Sequence, residues 1–260
     1  MDGRRYRPSV PATLDPVKPF LLLATRPEDA AADGEYEAFL RHAGLQEREL
    51  VRIRVESVPI PPLDPADWSG IFVGGSPFTG SIPREHKGDT QLRVEAELAR
   101  VLDMVVDVDF PFLGACYGVG TLGSHQGASI DGTYAEPISA PSVELTDAGL
   151  VDPLLAGVAP AFEAFVGHKE AVSRLPEHAV LLARSASCPV QMFRVKTHLY
   201  ATQFHPELDR TGLKERVRIY RDAGYYEPGE ESAIEAMAAV ATVDSAHRVL
   251  SNFVERYARY

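Results

Sequence analysis

Two hydrophobic patterns follow one another in the first half of the chain. Residues 19–25 form a continuous apolar run, which is typical of a strand buried on both faces. Residues 35–43 instead place apolar side chains at helical spacing and end at Gly44, a common helix terminator. The same criteria predict strands at residues 50–58, 68–73 and 110–113, and a further helix at 90–106.

The pattern changes after about residue 128, where short apolar stretches are separated by turn residues. These stretches predict strands at residues 135–145, 161–166, 180–185, 190–195 and 199–203, with a single helical turn at 152–157. From residue 211 onward the spacing is helical again, and further helices are predicted at 233–241 and 245–257.

These elements predict an α/β fold. Alternating strands and helices are typical of a doubly wound, mostly parallel sheet with helices on both faces. We expect a small antiparallel strand region in the second half and a C-terminal helical extension. The predicted organisation is a loose lead-in at residues 1–18, one domain at 19–210, and the helical extension at 211–260, packed on the same domain.

Composition limits the classes of function. Of the 260 residues, 45% are hydrophobic and 24% charged, as in an ordinary globular protein. The net charge is 26 − 37 = −11, which argues against nucleic-acid binding. No apolar run approaches the roughly 20 residues that span a bilayer, and no secretory apolar core follows the basic N-terminus. We therefore predict a cytoplasmic protein without a membrane segment.

The chain has two cysteines, Cys116 and Cys188. A disulfide between them is not expected in a cytosolic protein. No Cys-x-x-Cys or His-Glu-x-x-His spacing occurs, so no metal site or cofactor is predicted. Cys188 is interpreted as a thiol at the end of a strand.

Cys116 lies between Gly114 and Gly118, directly after the predicted strand at residues 110–113. A Gly-x-nucleophile-x-Gly sequence between a strand and a helix is typical of a nucleophile elbow. The glycines permit a tight turn, and the N-terminus of the following helix favours the thiolate form of a cysteine. The alternative is a small buried cysteine beside packing glycines.

A second motif, His205-Pro206-Glu207, follows the predicted strand at residues 199–203. A cysteine nucleophile needs a base that accepts its proton, and imidazole is the usual one. A carboxylate next to the imidazole fixes its tautomer and stabilises its cation. Alone, this tripeptide is more often a turn, but together with a cysteine elbow it predicts a catalytic triad.

The two motifs together resemble those of the class I (triad) glutamine amidotransferases, nearest to the amidotransferase domain of GMP synthase and its free-standing relatives. The resemblance covers roughly residues 20–208 and implies that Cys116, His205 and Glu207 are catalytic. It implies an oxyanion hole formed by the backbone N–H groups of Gly75 and Tyr117. The implied reaction is hydrolysis of glutamine to glutamate and ammonia through a γ-glutamyl thioester.

The resemblance also implies a set of substrate-binding residues. Two departures from the family pattern occur among them: Gly120 stands where many members have glutamine, and the substrate loop carries less common residues at two positions. His168 of this loop has an alternative interpretation, in which it does not touch the substrate and its hydrogen bonds are made with local backbone. The implied substrate-binding residues are Gly74, Gly120, His168, Lys169 and Glu170.

Several alternatives stay open on sequence alone. One is a hydrolase of another γ-glutamyl compound, which Gly120 favours; others are an α/β-hydrolase that uses cysteine, and a non-catalytic regulatory subunit. A Glu two residues after the histidine fits the α/β-hydrolases poorly. No P-loop accompanies the motifs, so the implied partners are a small γ-glutamyl molecule, a separate synthetase subunit and further copies in a homo-oligomer.

Overall fold

The computed structural model describes residues 17–221, 224–227 and 229–259. The predicted lead-in falls almost entirely outside them. The strands are β1 (Phe20–Ala24), β2 (Leu50–Arg54), β3 (Gly70–Val73), β4 (Phe112–Ala115), β5 (Ser129–Asp131), β6 (Glu136–Ser139), β7 (Ser142–Leu145), β8 (Ala161–Glu163), β9 (Val166–His168), β10 (Ala171–Arg174), β11 (Ala179–Ser185), β12 (Met192–Val195) and β13 (Leu199–Thr202). The α-helices are α1 (Asp29–Ala43), α2 (Asp89–Asp107), α3 (Tyr117–His125), α4 (Asp147–Val151), α5 (Arg210–Ile219), α6 (Glu231–Val240) and α7 (Asp244–Tyr257).

A nine-stranded sheet carries the fold, in the order β2-β1-β3-β4-β13-β12-β11-β7-β8. The strands from β2 to β13 pair in parallel, and those from β13 to β8 pair antiparallel. Two small two-stranded sheets, β5 with β10 and β6 with β9, are also antiparallel. The predicted α/β class, with its parallel sheet and antiparallel second half, is confirmed.

Some boundaries differ from those predicted. The apolar stretches at residues 135–145 and 161–166 each divide into two strands, because the chain turns within them to join different sheets. Strands β5 and β10 were not predicted, since they are short and mix polar with apolar residues. The helical turn expected at residues 152–157 is a 3₁₀ turn, Pro153–Leu155.

The apolar run of β1 is buried on both faces, as its pattern predicts. Phe20 and Leu22 face a core cluster that includes Phe253 of α7, and Leu21 and Leu23 face a second cluster with α2. Side chains alternate across a strand, so a strand covered on both sides must be apolar throughout. Strands β4 and β13 are parallel neighbours, so their carboxyl ends lie at the same edge of the sheet. The two sequence motifs follow these two strand ends.

The helices after residue 210 divide into two groups. Helix α7 packs in the main core beside α1, whereas α5 and α6 form a separate apolar cluster that includes Leu213, Val217 and Ile234. The predicted division into a domain at residues 19–210 and a helical extension at 211–260 packed on it stays a prediction. Among the described residues no helix is long and apolar enough to cross a membrane.

Phe253→Ala is expected to destabilise the fold strongly. Phe253 is fully buried and its ring lies 5.0 Å from that of Phe72, centroid to centroid. Truncating a buried Phe costs about 3–5 kcal/mol through lost burial and the cavity left behind. Urea unfolding measures this, with Val240→Ala on the exposed surface of α6 as the control. Equal stabilities of the two variants would show that α7 is not part of the core.

Candidate active site

Cys116 lies in the tight turn that joins β4 to α3. Its backbone angles are φ 52° and ψ −86°, a region that residues with a Cβ rarely adopt. A Cβ added to Gly114 would lie 2.6 Å from the Cα of Gly118, so strand and helix approach this closely only without a side chain there. The turn presents Cys116 partly exposed at the N-terminus of α3.

His205 and Glu207 follow β13, the strand next to β4. The Nδ1 atom of His205 lies 2.8 Å from Oε1 of Glu207. Both side chains are almost wholly buried, with His205 5% and Glu207 0% exposed. His205 and Cys116 line the same cavity of about 40 Å³. The structure therefore brings together the three residues that the motifs predict as a triad.

An ion-pair network surrounds Glu207, and its other members, Arg216, Glu35 and Arg26, lie outside both sequence motifs. Arg216 of α5 donates from Nη2 to Oε1 of Glu207 at 2.9 Å and to Oε1 of Glu35 at 3.3 Å. Its Nη1 atom lies 3.1 Å from Nδ1 of His205. Arg26 donates from Nε to the same oxygen of Glu35 at 2.9 Å. Sequence reasoning missed these residues, because they come from distant elements and form no local motif.

The electrostatics of the His205–Glu207 pair favour two charged partners. Burial opposes the charge of the imidazolium, but the carboxylate of Glu207 and the sulfur of Cys116 outweigh it and raise the pKa of His205 to about 9. Burial likewise opposes ionisation of Glu207, but His205 and Arg216 outweigh it and hold the pKa of that carboxyl far below its ordinary value. Glu207 is therefore a carboxylate at neutral pH.

We expect the contribution of His205 to stability to disappear at alkaline pH. A histidine whose pKa is raised by folding stabilises the protein fully below its ordinary value of 6.5, and the effect is lost as pH rises through about 9. The shift corresponds to a loss on the order of 3 kcal/mol. Urea unfolding of the wild type and His205→Asn at about pH 6 and pH 10 measures it. The difference between the two proteins should shrink at the higher pH, and a constant difference would contradict this.

The glycine loop after β3 lies against Glu35. The backbone N–H of Gly75 donates to Oε1 of Glu35 at 3.1 Å. A Cβ on Gly74 would lie 2.3 Å from Oε2 of Glu35, so this carboxylate packs directly on the loop. Tyr117 is the first residue of α3, and its N–H has no acceptor within the helix. Of the two N–H groups expected in an oxyanion hole, that of Gly75 is thus engaged by a carboxylate.

The predicted substrate loop at residues 167–170 borders Cys116, and it consists of the last two residues of β9 and the turn that leads to β10. His168 in this loop has protein partners. Its Nε2 atom lies 2.8 Å from Oε2 of Glu136, and its Nδ1 atom lies 3.0 Å from the carbonyl oxygen of Glu170. Local backbone satisfies this histidine in part, as the alternative interpretation had it. The carboxylate of Glu170 accepts from the N–H groups of Gly80 at 2.8 Å and Ser81 at 2.7 Å. His168 and Glu170 thereby hold the loop in place.

The remaining predicted substrate residues lie around one small cavity. Cys116, Gly120, Lys169 and Glu170 all line it, and its volume is about 30 Å³. The ammonium of Lys169 lies 4.8 Å from the centroid of the Tyr225 ring. A Cβ on Gly120 would lie 3.3 Å from Oε1 of Glu170. The Glu170 carboxylate therefore occupies space beside Gly120 that a longer side chain at that position would need.

Cys188 belongs to a second group of polar residues behind this loop. One ligand atom each of Cys188, His168 and Glu136 lie within 4.8 Å of one another, and all three side chains are buried. Gln191 donates to Oε2 of Glu136 at 2.9 Å, so the carboxylate is held by hydrogen bonds within the protein. Burial raises the pKa of the Cys188 thiol to about 11, which leaves it protonated at neutral pH. This thiol is therefore unsuited to be a nucleophile.

Iodoacetamide should alkylate Cys116 far faster than Cys188. Cys116 is partly exposed at a helix N-terminus, whereas Cys188 is fully buried and has a raised thiol pKa. Peptide mapping after brief alkylation at about pH 8 measures the two rates, with urea-unfolded protein as the control in which both react. Comparable labelling of Cys188 in the folded protein would contradict this account.

The fold and the site define a class of protein, an α/β protein with a cysteine at a strand–helix turn and a His–Glu pair after the adjacent strand. The profile of the family described as glutamine amidotransferase class-I matches residues 41–218, more than half of the chain. The chain belongs to the class I glutamine amidotransferase family.

Curated relatives agree with this assignment, and a solved structure shares the fold. The chain is 30% identical over 162 residues to the GMP synthase of Salmonella typhimurium, covering 59% of this chain and 28% of that protein. It is 28% identical over 130 residues to the GMP synthase of Hamiltonella defensa, covering 48% and 25%. The chain thus spans about a quarter of the length of these relatives. A glutamine amidotransferase from Thermotoga maritima shares the fold, with a TM-score of 0.73 at 17% identity, covering 92% of this chain and 98% of that one.

Proposed function

We propose that this protein hydrolyses the side-chain amide of glutamine to glutamate and ammonia through a γ-glutamyl thioester on Cys116. The observation that carries the proposal is the arrangement of Cys116 in its strained turn with the buried His205–Glu207 pair beside it. A partly exposed thiol next to a base that a carboxylate orients is the arrangement that acyl transfer needs. Membership of the family supports glutamine as the substrate.

The proton balance follows from the contacts of His205. Its Nδ1 atom faces Glu207, so we assign to Nε2 the proton that Cys116 gives up, which makes His205 an imidazolium, in agreement with its raised pKa. The thiolate then adds to the γ-carbonyl carbon, and the carbon–nitrogen bond breaks as His205 returns the proton to the leaving nitrogen. Water, deprotonated by the same imidazole, cleaves the thioester and restores the thiol.

The anionic oxygen of the intermediate needs hydrogen-bond donors. The N–H of Tyr117 is such a donor, since it opens α3 next to the nucleophile. The N–H of Gly75 is the second donor of the proposal, and it now donates to Glu35. The oxyanion must therefore share or replace that contact, which makes Glu35 a competitor for Gly75.

The space beside His205 suits ammonia as the leaving group. The leaving nitrogen departs beside His205, into a cavity of about 40 Å³ that Leu213, Tyr220 and Tyr225 also line. One water needs about 10–15 Å³ measured in this way, so ammonia fits this cavity. The assay below, which includes a γ-glutamyl anilide, decides between glutamine and a larger γ-glutamyl amide.

We propose that the α-end of the substrate lies toward Gly120 and the loop at residues 167–170. Glu170 is the acidic group on that side and suits the α-ammonium of glutamine, while Lys169 suits an α-carboxylate. His168 then acts by holding the loop through Glu136 and the Glu170 carbonyl. Gly74 contributes by allowing the glycine loop to lie on Glu35.

We further propose a synthetase partner that consumes the ammonia. The relatives are GMP synthases, and the matched part is about a quarter of their length, which leaves room in them for further domains. The alternative of a non-catalytic regulatory subunit predicts no ammonia release under any condition. Adding a synthetase domain of such a relative, and measuring whether glutamine then replaces ammonia as nitrogen donor, separates these two cases.

Ammonia release from glutamine tests the proposed function. Purified protein is incubated with L-glutamine, L-asparagine and one γ-glutamyl anilide, and ammonia or aniline is measured. We expect release from glutamine well above that from the other two compounds, and none from Cys116→Ala protein. Faster release of aniline than of ammonia would favour the γ-glutamyl hydrolase instead.

A further inference from the structure

A larger cavity lies beside the proposed substrate site, between α2 and α3. Its volume is about 320 Å³. It shares four lining residues with the small cavity at Cys116: Tyr117, Gly120, Ile130 and Glu170. Gly120 has no side chain to fill the boundary, and the Glu170 carboxylate is held at this boundary by Gly80 and Ser81. The larger cavity therefore begins where the proposed α-end of the substrate lies.

The direction of the substrate chain follows from the other groups at Cys116. The γ-carbon is bonded to sulfur, its oxygen faces the N–H of Tyr117, and its nitrogen departs beside His205. The remaining bond of the γ-carbon leads toward Gly120 and Glu170. Groups attached beyond the α-carbon are thus directed at the larger cavity. This step rests on the proposed function.

The polar and apolar groups that line the cavity indicate which chemical group could follow the α-carbon of the substrate. The hydroxyl of Tyr117 is buried and has no hydrogen-bond partner among the described residues, and the whole residue is 5% exposed. A buried unpaired hydroxyl costs about 1–3 kcal/mol, and a carbonyl oxygen that reaches it after a small shift of the Tyr117 side chain would remove this penalty. The wall between the helices is apolar, with Leu98, Leu102 and Ile130. An apolar group behind a carbonyl fits both features.

Charge argues against a free α-carboxylate in this cavity. Glu95 and Glu170 both line it. The ammonium of Lys87 is already paired with Glu95 at 2.8 Å and donates to the carbonyl of Gly80 at 2.7 Å. A carboxylate entering here would meet two like charges and a cation that is already engaged. An α-carboxyl group capped as an amide carries no charge and avoids this.

We propose that the cavity binds the residue that follows glutamine in a peptide, so that the preferred substrate is an N-terminal glutaminyl residue followed by an apolar residue. The α-ammonium lies at Glu170, the first peptide carbonyl accepts from the Tyr117 hydroxyl, and the apolar side chain lies against Leu98 and Leu102. The side-chain amide is hydrolysed to a carboxylate and ammonia with one water consumed. The peptide bond stays intact.

Steady-state kinetics on glutamine and two dipeptide amides test this. The kcat/KM for L-glutaminyl-L-leucinamide, whose C-terminal carboxyl is capped as an amide, should exceed that for L-glutamine at least tenfold, and L-glutaminyl-L-aspartic acid α-amide should show no such gain. Tyr117→Phe should lower the ratio of kcat/KM for the dipeptide to kcat/KM for glutamine by about three- to tenfold, the usual effect of losing one hydrogen bond. A dipeptide kcat/KM equal to or below that of glutamine overturns the inference.

A matched pair of variants locates the effect in the cavity. Ala99 and Ala96 are both exposed alanines on α2, and only Ala99 lines the cavity. Ala99→Phe should bring the kcat/KM for the dipeptide to within about twofold of that for glutamine, whereas Ala96→Phe should leave the difference between the two substrates unchanged. Equal effects of both variants count against the inference.

Binding to Cys116→Ala protein, measured by calorimetry, separates this inference from the proposed function. Tighter binding of the dipeptide than of glutamine, without ammonia release by the wild type, would contradict the proposed function alone. Equal or weaker binding of the dipeptide would overturn the inference even if glutamine is hydrolysed.

Discussion

Cys116→Ala is expected to abolish ammonia release from glutamine and leave the fold intact. The alanine keeps the turn between β4 and α3 but lacks the sulfur that forms the thioester. We expect a loss of at least about 10⁴-fold in kcat, as for removal of a nucleophile from a triad. The assay is steady-state ammonia release, with circular dichroism and thermal unfolding to confirm that the variant is folded.

Cys188→Ala is the matched control for this substitution. It removes the other thiol, which is fully buried and lies behind the loop at residues 167–170. Its activity should stay within a few-fold of the wild type, apart from a modest loss of stability from the small cavity. Activity that survives in Cys116→Ala but disappears in Cys188→Ala would move the nucleophile to the second cluster.

His205→Asn is expected to lose nearly as much activity as Cys116→Ala, and Glu207→Gln less. Among the described residues that line the cavity at Cys116 and His205, His205 is the only imidazole or carboxylate that could take the thiol proton. Residues that act as one unit are also non-additive when removed. We expect about 10⁴-fold or more for His205→Asn and about 10²–10³-fold for Glu207→Gln. The glutamine amide can still hold the imidazole, but it no longer stabilises the cation.

The double variant checks that these residues act together. Cys116→Ala with His205→Asn should be no worse than Cys116→Ala alone. Thermal unfolding must accompany Glu207→Gln, because Arg216 donates to this carboxylate in a buried ion pair. A Glu207→Gln enzyme that is folded but as inactive as Cys116→Ala would contradict the proposed order.

Local sequence could predict the tight turn at Cys116 because the turn is encoded locally. Gly114, Cys116 and Gly118 lie within five residues, and their spacing determines the close contact of strand and helix. The apolar run at β1 was equally informative, since burial on both faces requires every position to be apolar. The alternating strands and helices then give the sheet, whose parallel strands place Cys116 and His205 at one edge.

Other parts of the site could not be predicted because they depend on contacts between distant residues. Arg216 and Glu35 are 181 positions apart, and their ion pair exists only once α5 folds back over the triad. The engagement of Gly75 by Glu35 has the same origin. Glu170 fills the space beside Gly120 only because the fold brings its carboxylate, 50 positions further along the chain, against α3. No period or spacing in the sequence reports such contacts.

The most direct test of the account is detection of the γ-glutamyl thioester on Cys116. Protein mixed with L-glutamine is quenched in acid during turnover, and its peptides are analysed by mass spectrometry. We predict an adduct with the mass of glutamine minus ammonia on the peptide that contains Cys116, enriched in Glu207→Gln protein if water attack is slowed. Ammonia release from glutamine with no adduct on Cys116, or with the adduct on Cys188, would contradict the account.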